Sequence, residues 1–455
     1  MVRLDNLTHV TRNIEGGGSV LVLDTGAAIT PPAQAMLAAL HSRSVGGIRE
    51  HLEVLDKKGF EKFMKTYYVG YGHKSIGDCG SITVFIEGIS MLAAKAIQDF
   101  RLYDGQEAST RYIDFSKQDF INPVGLKTGR DILEYQRTFY LKGLEILKPY
   151  LAAEFPLKEK GREVAHTKML DARAFDIMRA FLPAGASTNL AWHGKIRIFG
   201  DRLPELRNHP LAEVRNIATA LHEALYEAFP DSFQEPGKIY RETEKYIAKY
   251  MGLSYYDEPK SFSFELTRNE LREKNFSPEV KSLLKERPNG KTELPKWLEG
   301  LGQIQFKFLL DFGSFRDVQR HRAVIQRMPI LNMNHGFEPW YLKQMPEDLK
   351  EEAVEHLRVL EDRLEDLSVD PALLQYYIPM GYRCTNCITG GLPALVYLIE
   401  LRSQSTVHPT LRVIAQRMGS ELGGMFKDLA LYYDKSEDHL DIRRGEQDIV
   451  INEDA

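Results

Sequence analysis

Cysteine is scarce in this sequence, which has three among its 455 residues. Three cysteines cannot form the disulfide framework that stabilises many small secreted domains, so we expect a reducing, cytoplasmic location. Long apolar stretches are also missing, because no run approaches the roughly 18 consecutive apolar residues that are typical of a membrane-spanning helix. The sequence therefore predicts no membrane partner.

Excess positive charge is absent too, since the formal net charge is −5 at pH 7. Proteins that bind nucleic acids through phosphates usually present a basic surface, so we expect no nucleic-acid partner. The chain has the composition of a globular protein, with 43% hydrophobic and 27% charged residues. Its length predicts two or three domains of roughly 150 residues each.

Strand and helix patterns alternate along the chain, which predicts an α/β (α+β) fold. β-branched and aromatic residues indicate strands at 81–88 and 303–312. Helical periodicity of the apolar residues indicates long helices at 131–151 and 346–367.

An ordered series of short motifs occurs twice. The first half contains "FLPAGASTNLAW" and then "PELRNHP", and the second contains "YIPMGYRCTNCITGG" and then "IELRSQSTVHP". Both series run apolar-Pro-x-Gly, Thr-Asn, Glu-Leu-Arg and His-Pro, which indicates two diverged copies of one unit. We place the first copy at 1–235, a charged connector at 236–298, the second copy at 299–435 and a polar tail at 436–455.

Two polar segments are candidates for ligand binding. In "GQEASTRYIDF", Gln106, Glu107, Ser109 and Arg111 alternate with other residues, so they either hold one ligand or form a polar turn after the preceding helix. In "VQRHRAVIQRMPIL" (318–331) the triplet Arg320-His321-Arg322 has no acidic residue nearby. It either binds a phosphate or carboxylate, or forms a solvated basic edge.

The pair Cys384 and Cys387 forms a C-x-x-C motif, "CTNC". One such pair supplies too few ligands for structural zinc, so we favour a packing role and expect no metal site.

The first copy as a whole resembles a known family. Its stretch "GHKSIGDCGSITVFIEGISMLAAKAIQDFRLYDGQEASTRYIDF" has the order His-x-Ser, strand, helix, triplet and Gln-Glu-x-Ser-x-Arg-Tyr. This order resembles the flavin-dependent thymidylate synthases, whose hallmark is Arg-His-Arg followed at a fixed distance by serine. The resemblance implies a fused tandem of two diverged copies, each a small sheet with packed helices.

The resemblance implies roles for particular residues of the first copy. His73 and Ser75 match residues that contact the flavin, and Arg101 is what remains of the hallmark triplet in "DFR". Glu107 matches a residue beside the flavin. The positions that match nucleotide-binding residues are Gln106, Ser109, Arg111, Arg179 and Arg207. Ser109 and Arg207 are also candidate catalytic residues.

The second copy has the opposite pattern of matches and losses. Arg320, His321 and Arg322 match the intact flavin-binding triplet, and Arg402 matches the late nucleotide arginine and is a third candidate catalytic residue. Where Glu, Ser and Arg of the nucleotide segment are expected, the copy has instead Met328, Ile330 and Asn332.

Because these losses are complementary, we expect composite sites in a homodimer that forms a pseudo-tetramer. The first copy would supply the nucleotide pocket, and the second copy would supply the Arg-His-Arg residues that bind the FAD phosphates. The implied reaction is reductive methylation of dUMP to dTMP, with FAD, NADPH and methylenetetrahydrofolate. The alternatives are a divergent flavoenzyme that modifies another uracil nucleotide, and an inactive FAD- or nucleotide-binding protein.

Overall fold

The computed structural model describes residues 7–23, 26, 29–42, 48–110, 113–157, 160–238, 241–255, 257–258, 263–271, 276–289 and 292–446. Arg111 of the predicted site lies outside these residues. Within the described ranges, no helix combines the length and the apolar character needed to cross a membrane.

The chain contains nine described strands. They are His9–Asn13 (β1), Ser19–Leu23 (β2), Ser81–Ser90 (β3), Asp104–Glu107 (β4), Ser187–Lys195 (β5), Phe264–Asn269 (β6), Ile304–Asp311 (β7), Ile325–Gln326 (β8) and Arg383–Gly390 (β9).

The described helices include the two predicted at 131–151 and 346–367, which correspond to Lys127–Glu154 and Glu347–Asp366. They are Pro31–His41 (α1), Ile48–Lys58 (α2), Glu61–Phe63 (α3), Met91–Gln98 (α4), Lys127–Glu154 (α5), Glu163–Met178 (α6), Ile196–Arg207 (α7), Ala212–Ala228 (α8), Arg241–Ser254 (α9), Pro278–Lys285 (α10), Phe312–Val318 (α11), Pro339–Lys343 (α12), Glu347–Asp366 (α13), Pro371–Leu374 (α14), Leu392–Arg402 (α15), Pro409–Met425 (α16) and Arg443–Glu446 (α17). A π-helical turn, Met64–Gly70, follows α3.

Two compact units result from the packing. Unit 1 comprises Met1–Tyr112, Gln118–Pro123 and Ala186–Ser254, and unit 2 comprises Ile113–Lys117, Val124–Gly185 and Tyr255–Ala455. These units differ from the two sequence copies, because the segment 124–185 of the first copy packs in unit 2. The copy boundaries at 235, 298 and 435 stay a prediction.

Unit 1 is built on an antiparallel sheet with the strand order β1-β2-β3-β5-β4. Alternate residues of β3, including Val84 and Ile86, are fully buried, as the apolar alternation of the strand requires. Ser90 ends β3 and its Oγ accepts a hydrogen bond from Ala93 N at 2.9 Å, so the chain turns directly from strand to α4.

Unit 2 repeats the four-strand order β2-β3-β5-β4 of unit 1 as β6-β7-β9-β8, again antiparallel. Phe306 and Phe308 of β7 are buried, and Asp311 ends the strand. The Oδ2 atom of Asp311 accepts from Ser314 N at 2.8 Å and starts α11 as Ser90 starts α4. The predicted tandem α/β architecture is therefore confirmed.

The equivalent apolar-Pro-x-Gly motifs meet each other inside unit 2. Pro183 and Pro379 form an antiparallel bridge. On either side of it, Ala184 N donates to Ile378 O at 3.0 Å and Met380 N donates to Leu182 O at 2.9 Å. Each copy thus presents the same motif to the other, related by a local twofold pseudosymmetry.

Helices of both copies contribute to the core of unit 2. His356 of α13 is buried, and its ring stacks on Tyr135 and Phe139 of α5 at centroid distances of 4.3 and 4.2 Å. The polar tail also packs here, because Asp438 accepts from Arg173 Nη2 at 2.5 Å and Arg444 pairs with Asp176.

Candidate active site

The predicted site residues divide between the two units. Unit 1 contains His73, Ser75, Arg101, Gln106, Glu107, Ser109 and Arg207. Unit 2 contains Arg179, Arg320, His321, Arg322 and Arg402. The sequence assigns Arg179 to the first copy's pocket, but it directly follows α6, which belongs to unit 2 and packs against α5 and α17.

The most buried charges of unit 1 lie beside β4. Lys95 of α4 forms an ion pair with Glu107 of β4, and the two side chains are 0% and 1% exposed. Gln98 Nε2 also donates to Glu107 Oε2 at 2.9 Å. These contacts fix the base of the segment in which Gln106 is exposed and Ser109 is half-buried.

His73 and Ser75 lie on the surface of unit 1, after the π-helical turn. The His73 ring lies 6.3 Å from Tyr67 and 6.2 Å from Tyr71, measured between centroids. Arg101 is likewise exposed, after the end of α4. The three positions are therefore accessible to a ligand of unit 1.

Arg207 of α7 is held by two neighbours. Its Nη2 donates to Glu244 Oε1 of α9 at 2.8 Å, and its Nη1 lies 3.3 Å from Nδ1 of His222. The second carboxylate oxygen of Glu244 accepts from Asn208. Arg207 also lines a cavity of about 450 Å³, together with Lys74, Tyr68 and Tyr250 among others.

The Arg-His-Arg triplet of unit 2 lies beside the late arginine. Arg402 Nε donates to His321 Nε2 at 2.6 Å, and Arg402 Nη2 donates to the carbonyl of Asp317 at 2.8 Å. His321 is 6% exposed, whereas Arg320 and Arg322 are on the surface.

The triplet has an acidic partner, contrary to the expectation from residues 318–331. Asp317, one residue before that stretch, lies with Oδ1 3.7 Å from Arg320 Nε. Burial would raise the pKa of the Asp317 carboxyl, yet four guanidiniums outweigh it and lower this pKa to about 2. They belong to Arg320, Arg402, Arg179 and Arg316.

Arg179 is the most unusual of these arginines. It is 9% exposed, and its Nε and Nη2 have no hydrogen-bond partner among the residues that the structure describes. Burial would lower its pKa, but Asp176, Tyr341 and Asp317 raise it, so the guanidinium stays charged. A buried guanidinium with unsatisfied donors is costly unless it binds an acceptor.

The second-copy counterparts of the nucleotide segment have a different chemistry. Met328 is 1% exposed, at the position equivalent to Glu107. Asn332, at the position of Arg111, donates from Nδ2 to Asp257 Oδ2 at 2.9 Å. The other oxygen of Asp257 lies 2.8 Å from His335 Nε2. At positions 328, 330 and 332 this segment therefore lacks the carboxylate, hydroxyl and guanidinium groups of Glu107, Ser109 and Arg111.

Three residues that hold the arginines were missed in the sequence. Asp317 carried a usable signal, since it stands three residues before Arg320 on the same helical turn. Glu244 and His222 carried none, because only the packing of α8 and α9 on α7 brings them to Arg207.

Comparison with known proteins identifies a family that resembles the first part of the chain. A family profile described as "Thymidylate synthase complementing protein" matches residues 28–231. Residues 28–231 are therefore similar to this family. The matched stretch includes β3, α4 and β4, and its arginines Arg179 and Arg207.

Three relatives align with most of the length of this chain. A UPF0159 protein of Chlamydia pneumoniae is 27% identical over 430 residues, which cover 82% of this chain and 80% of the relative. A UPF0159 protein of Chlamydia muridarum is 24% identical over 468 residues, covering 85% and 86%. One of Thermoplasma acidophilum is 25% identical over 445 residues, covering 82% and 88%. The profile match to residues 28–231 supports a thymidylate synthase-related function.

Proposed function

We propose that the protein catalyses the reductive methylation of dUMP to dTMP, with FAD as the flavin and NADPH and methylenetetrahydrofolate as co-substrates. The observation that carries the proposal is the buried guanidinium of Arg179, which has unsatisfied donors beside the second-copy arginines. The family match supplies the reaction class.

The arginines of unit 2 fit phosphate-bearing ligands. Four guanidiniums act on the single carboxylate of Asp317, so the cluster keeps a positive charge. Phosphate oxygens accept charge-assisted hydrogen bonds from guanidiniums in a bidentate geometry. We assign Arg320 and Arg322 to the FAD phosphates, and Arg179 and Arg402 to the nucleotide.

Unit 1 supplies a second set of ligand-binding groups. We assign the exposed His73, Ser75 and Arg101 to the flavin, together with Glu107. For the nucleotide we assign Gln106, Ser109, Arg111 and Arg207. The assembly of two chains into a pseudo-tetramer stays a prediction.

The protein's share of the chemistry is to bind, orient and polarise. FAD, when bound in its reduced form, supplies the hydride and carries the one-carbon unit. Arginines at the uracil carbonyls stabilise the negative charge that develops on the pyrimidine when its C5 becomes nucleophilic. Ser109 then serves to position the nucleotide, since no base accompanies it among its described contacts.

Tritium release from C5-labelled dUMP tests the proposal directly. Purified protein with NADPH and methylenetetrahydrofolate is expected to release tritium and to form dTMP. Yellow protein without release would favour a divergent flavoenzyme. Colourless protein without release would favour an inactive binding protein, a candidate supported by Met328 and Ile330 in place of Glu and Ser.

A double substitution tests the flavin assignment. Arg320→Ala together with Arg322→Ala is expected to abolish flavin retention, measured by absorbance of the desalted protein. Arg358→Ala is the matched control, because Arg358 is an exposed arginine of unit 2 whose ion pairs, with Glu355 and Asp362, lie on its own helix α13. Normal flavin content in the double variant would contradict the assignment.

A further inference from the structure

The central histidine of the triplet is turned toward protein, not toward solvent. His321 is 6% exposed, and its Nε2 lies 2.6 Å from Arg402 Nε. The ring of Tyr397 meets it edge-on at a centroid distance of 6.0 Å and limits its rotation. A guanidinium has no acceptor, so His321 Nε2 must be the unprotonated acceptor of this bond.

We propose that His321 is a positioning residue for Arg402, and that it does not itself bind the flavin phosphates. The inference rests on the proposed function, since it gives Arg402 its role toward the nucleotide. His321 fixes the guanidinium through Nε, and the Asp317 carbonyl fixes it through Nη2. The remaining donors of Arg402 are thereby held in one orientation for a ligand.

The charge state of the ring agrees with this geometry. Burial and the nearby Arg402 lower the pKa of His321 to about 3, although Asp317 opposes them. The imidazole is therefore neutral at pH 7 and can accept from a cation. A neutral ring with its Nε2 occupied contributes no charge to phosphate binding.

Unit 1 provides an independent parallel. Its triplet has Phe100 at the equivalent position, and there Arg202 donates to the carbonyls of Ala96 and Asp99, both at 3.0 Å. The Asp317 carbonyl, which Arg402 contacts, is the second-copy equivalent of the Ala96 carbonyl.

In unit 1 the late arginine, Arg207, is hydrogen-bonded to a histidine from a different element, His222 of α8. Nε2 of His222 lies 2.8 Å from the carbonyl of Gln234, so it carries the proton and leaves Nδ1 to accept from Arg207. Burial lowers the pKa of His222 as well. Each unit thus orients its late arginine with a neutral imidazole, taken from a different place in the chain.

Side-chain nitrogen NMR tests the geometry without any substrate. At pH 7 the wild type should show a neutral His321 ring with Nε2 unprotonated, assigned by its loss in His321→Gln. Arg402→Ala should shift this resonance, and His356 serves as the control ring because it lies buried in unit 2. A charged ring, or a resonance unaffected by Arg402→Ala, would overturn the proposal.

A double-mutant cycle tests the consequence for binding. His321→Phe should raise the Kd for dUMP by about 10- to 100-fold, as loss of a hydrogen bond to a charged group does, and leave flavin content unchanged. In an Arg402→Ala background the same change should add less than about twofold, because His321 acts through Arg402. His321→Gln, which keeps an acceptor, should restore most of the affinity.

The outcomes separate this inference from the proposed function. Loss of flavin in His321→Phe, or an effect that adds to that of Arg402→Ala, would contradict a positioning role. His356→Phe should leave both dUMP affinity and flavin content unchanged. A wild type that binds no dUMP would contradict the proposed function, and the NMR result would then decide the role of His321.

Discussion

The two units share the order of four strands and a strand-to-helix cap, yet they differ in how buried charges are paired. In unit 1 the basic residue of α4, Lys95, is matched by Glu107 in the core. In unit 2 the equivalent of Glu107 is the buried Met328, while arginines gather around Asp317. Two copies of one unit can therefore keep the same strand order and strand-to-helix turn while their buried charged residues are paired differently.

The late arginines show the same contrast. Arg207 donates to a carboxylate, Glu244, whereas both hydrogen bonds of Arg402 go to neutral acceptors. Cavities of about 450 and 110 Å³ lie beside α7 and α15, and the ion pair of Arg287 with Glu400 lines the second. The late arginine of unit 1 therefore lines the larger of these two cavities and is paired with a carboxylate, whereas the hydrogen bonds of Arg402 go to neutral groups.

The largest expected effect comes from replacing Glu107 of unit 1 with methionine, the residue that unit 2 has at the equivalent position, Met328. Glu107→Met leaves the Lys95 ammonium without its carboxylate in a fully buried position. We expect the free energy of unfolding to fall by about 3–5 kcal/mol. Denaturant unfolding followed by circular dichroism measures this change.

The matched variants separate charge from packing. Lys95→Met combined with Glu107→Met removes both charges and should recover most of the lost stability. Met328→Leu in unit 2 should cost less than about 1.5 kcal/mol, because it conserves apolar volume. A small effect of Glu107→Met alone would mean that the two units do not differ as described.

A second prediction concerns the carboxylate at Arg207. Glu244→Gln removes the negative charge that would face the dUMP phosphate, so binding to unit 1 should tighten by about tenfold, or about 1.4 kcal/mol. Calorimetric titration in an Arg402→Ala background reports on this unit. Glu242→Gln is the control, because Glu242 is exposed on the same helix and pairs with Lys245.

Weaker or unchanged dUMP binding in Glu244→Gln would show that Glu244 supports ligand binding at Arg207. The carboxylate acceptor of Arg207, which Arg402 lacks among its described hydrogen bonds, would then serve to hold Arg207 in place for the ligand.

The smallest effect concerns a matched pair of histidines, one in each unit. Burial lowers the pKa of His209 from 6.5 to about 3, and the pKa of His408 is lowered as well. The unfolded chain binds these protons first, so stability falls as pH drops from 6.5 towards 3. Each histidine contributes a slope of about 1.4 kcal/mol per pH unit.

His209→Asn and His408→Asn each remove one titrating group, so each should reduce the dependence of the unfolding free energy on pH by about 1.4 kcal/mol per pH unit. In the wild type, Leu211 N donates a hydrogen bond to His209 Nδ1 at 3.0 Å. The side-chain oxygen of asparagine provides an acceptor for the same donor. Urea unfolding at several pH values between 6.5 and 4 provides the measurement. An unchanged slope in one variant only would show that the two units titrate differently.

Local patterns were sufficient for much of the fold. The strands β3 and β7 and the helices α5 and α13 were predicted, because alternation and helical periodicity report directly on which face is buried. The repeat likewise gave the tandem architecture. Sequence could not show that α5 and α6 pack in unit 2, because their partners α13 and α17 are distant in the chain.

The site was predictable residue by residue but not in its contacts. Arg207, Arg320 and Arg402 were identified from motifs, whereas their partners come from distant elements. Glu244 lies in a connector that was identified only by its charge. Pairing between remote side chains depends on tertiary packing, which periodicity does not encode.

The bridge between Pro183 and Pro379 has a consequence for how such a chain can change. In a homodimer with a twofold axis, every substitution at the axis appears twice, so both sides of the contact must tolerate it together. Here one polypeptide provides the two sides from separate codons. Each half of the contact is free to mutate alone, and covalent linkage keeps the halves together at any protein concentration.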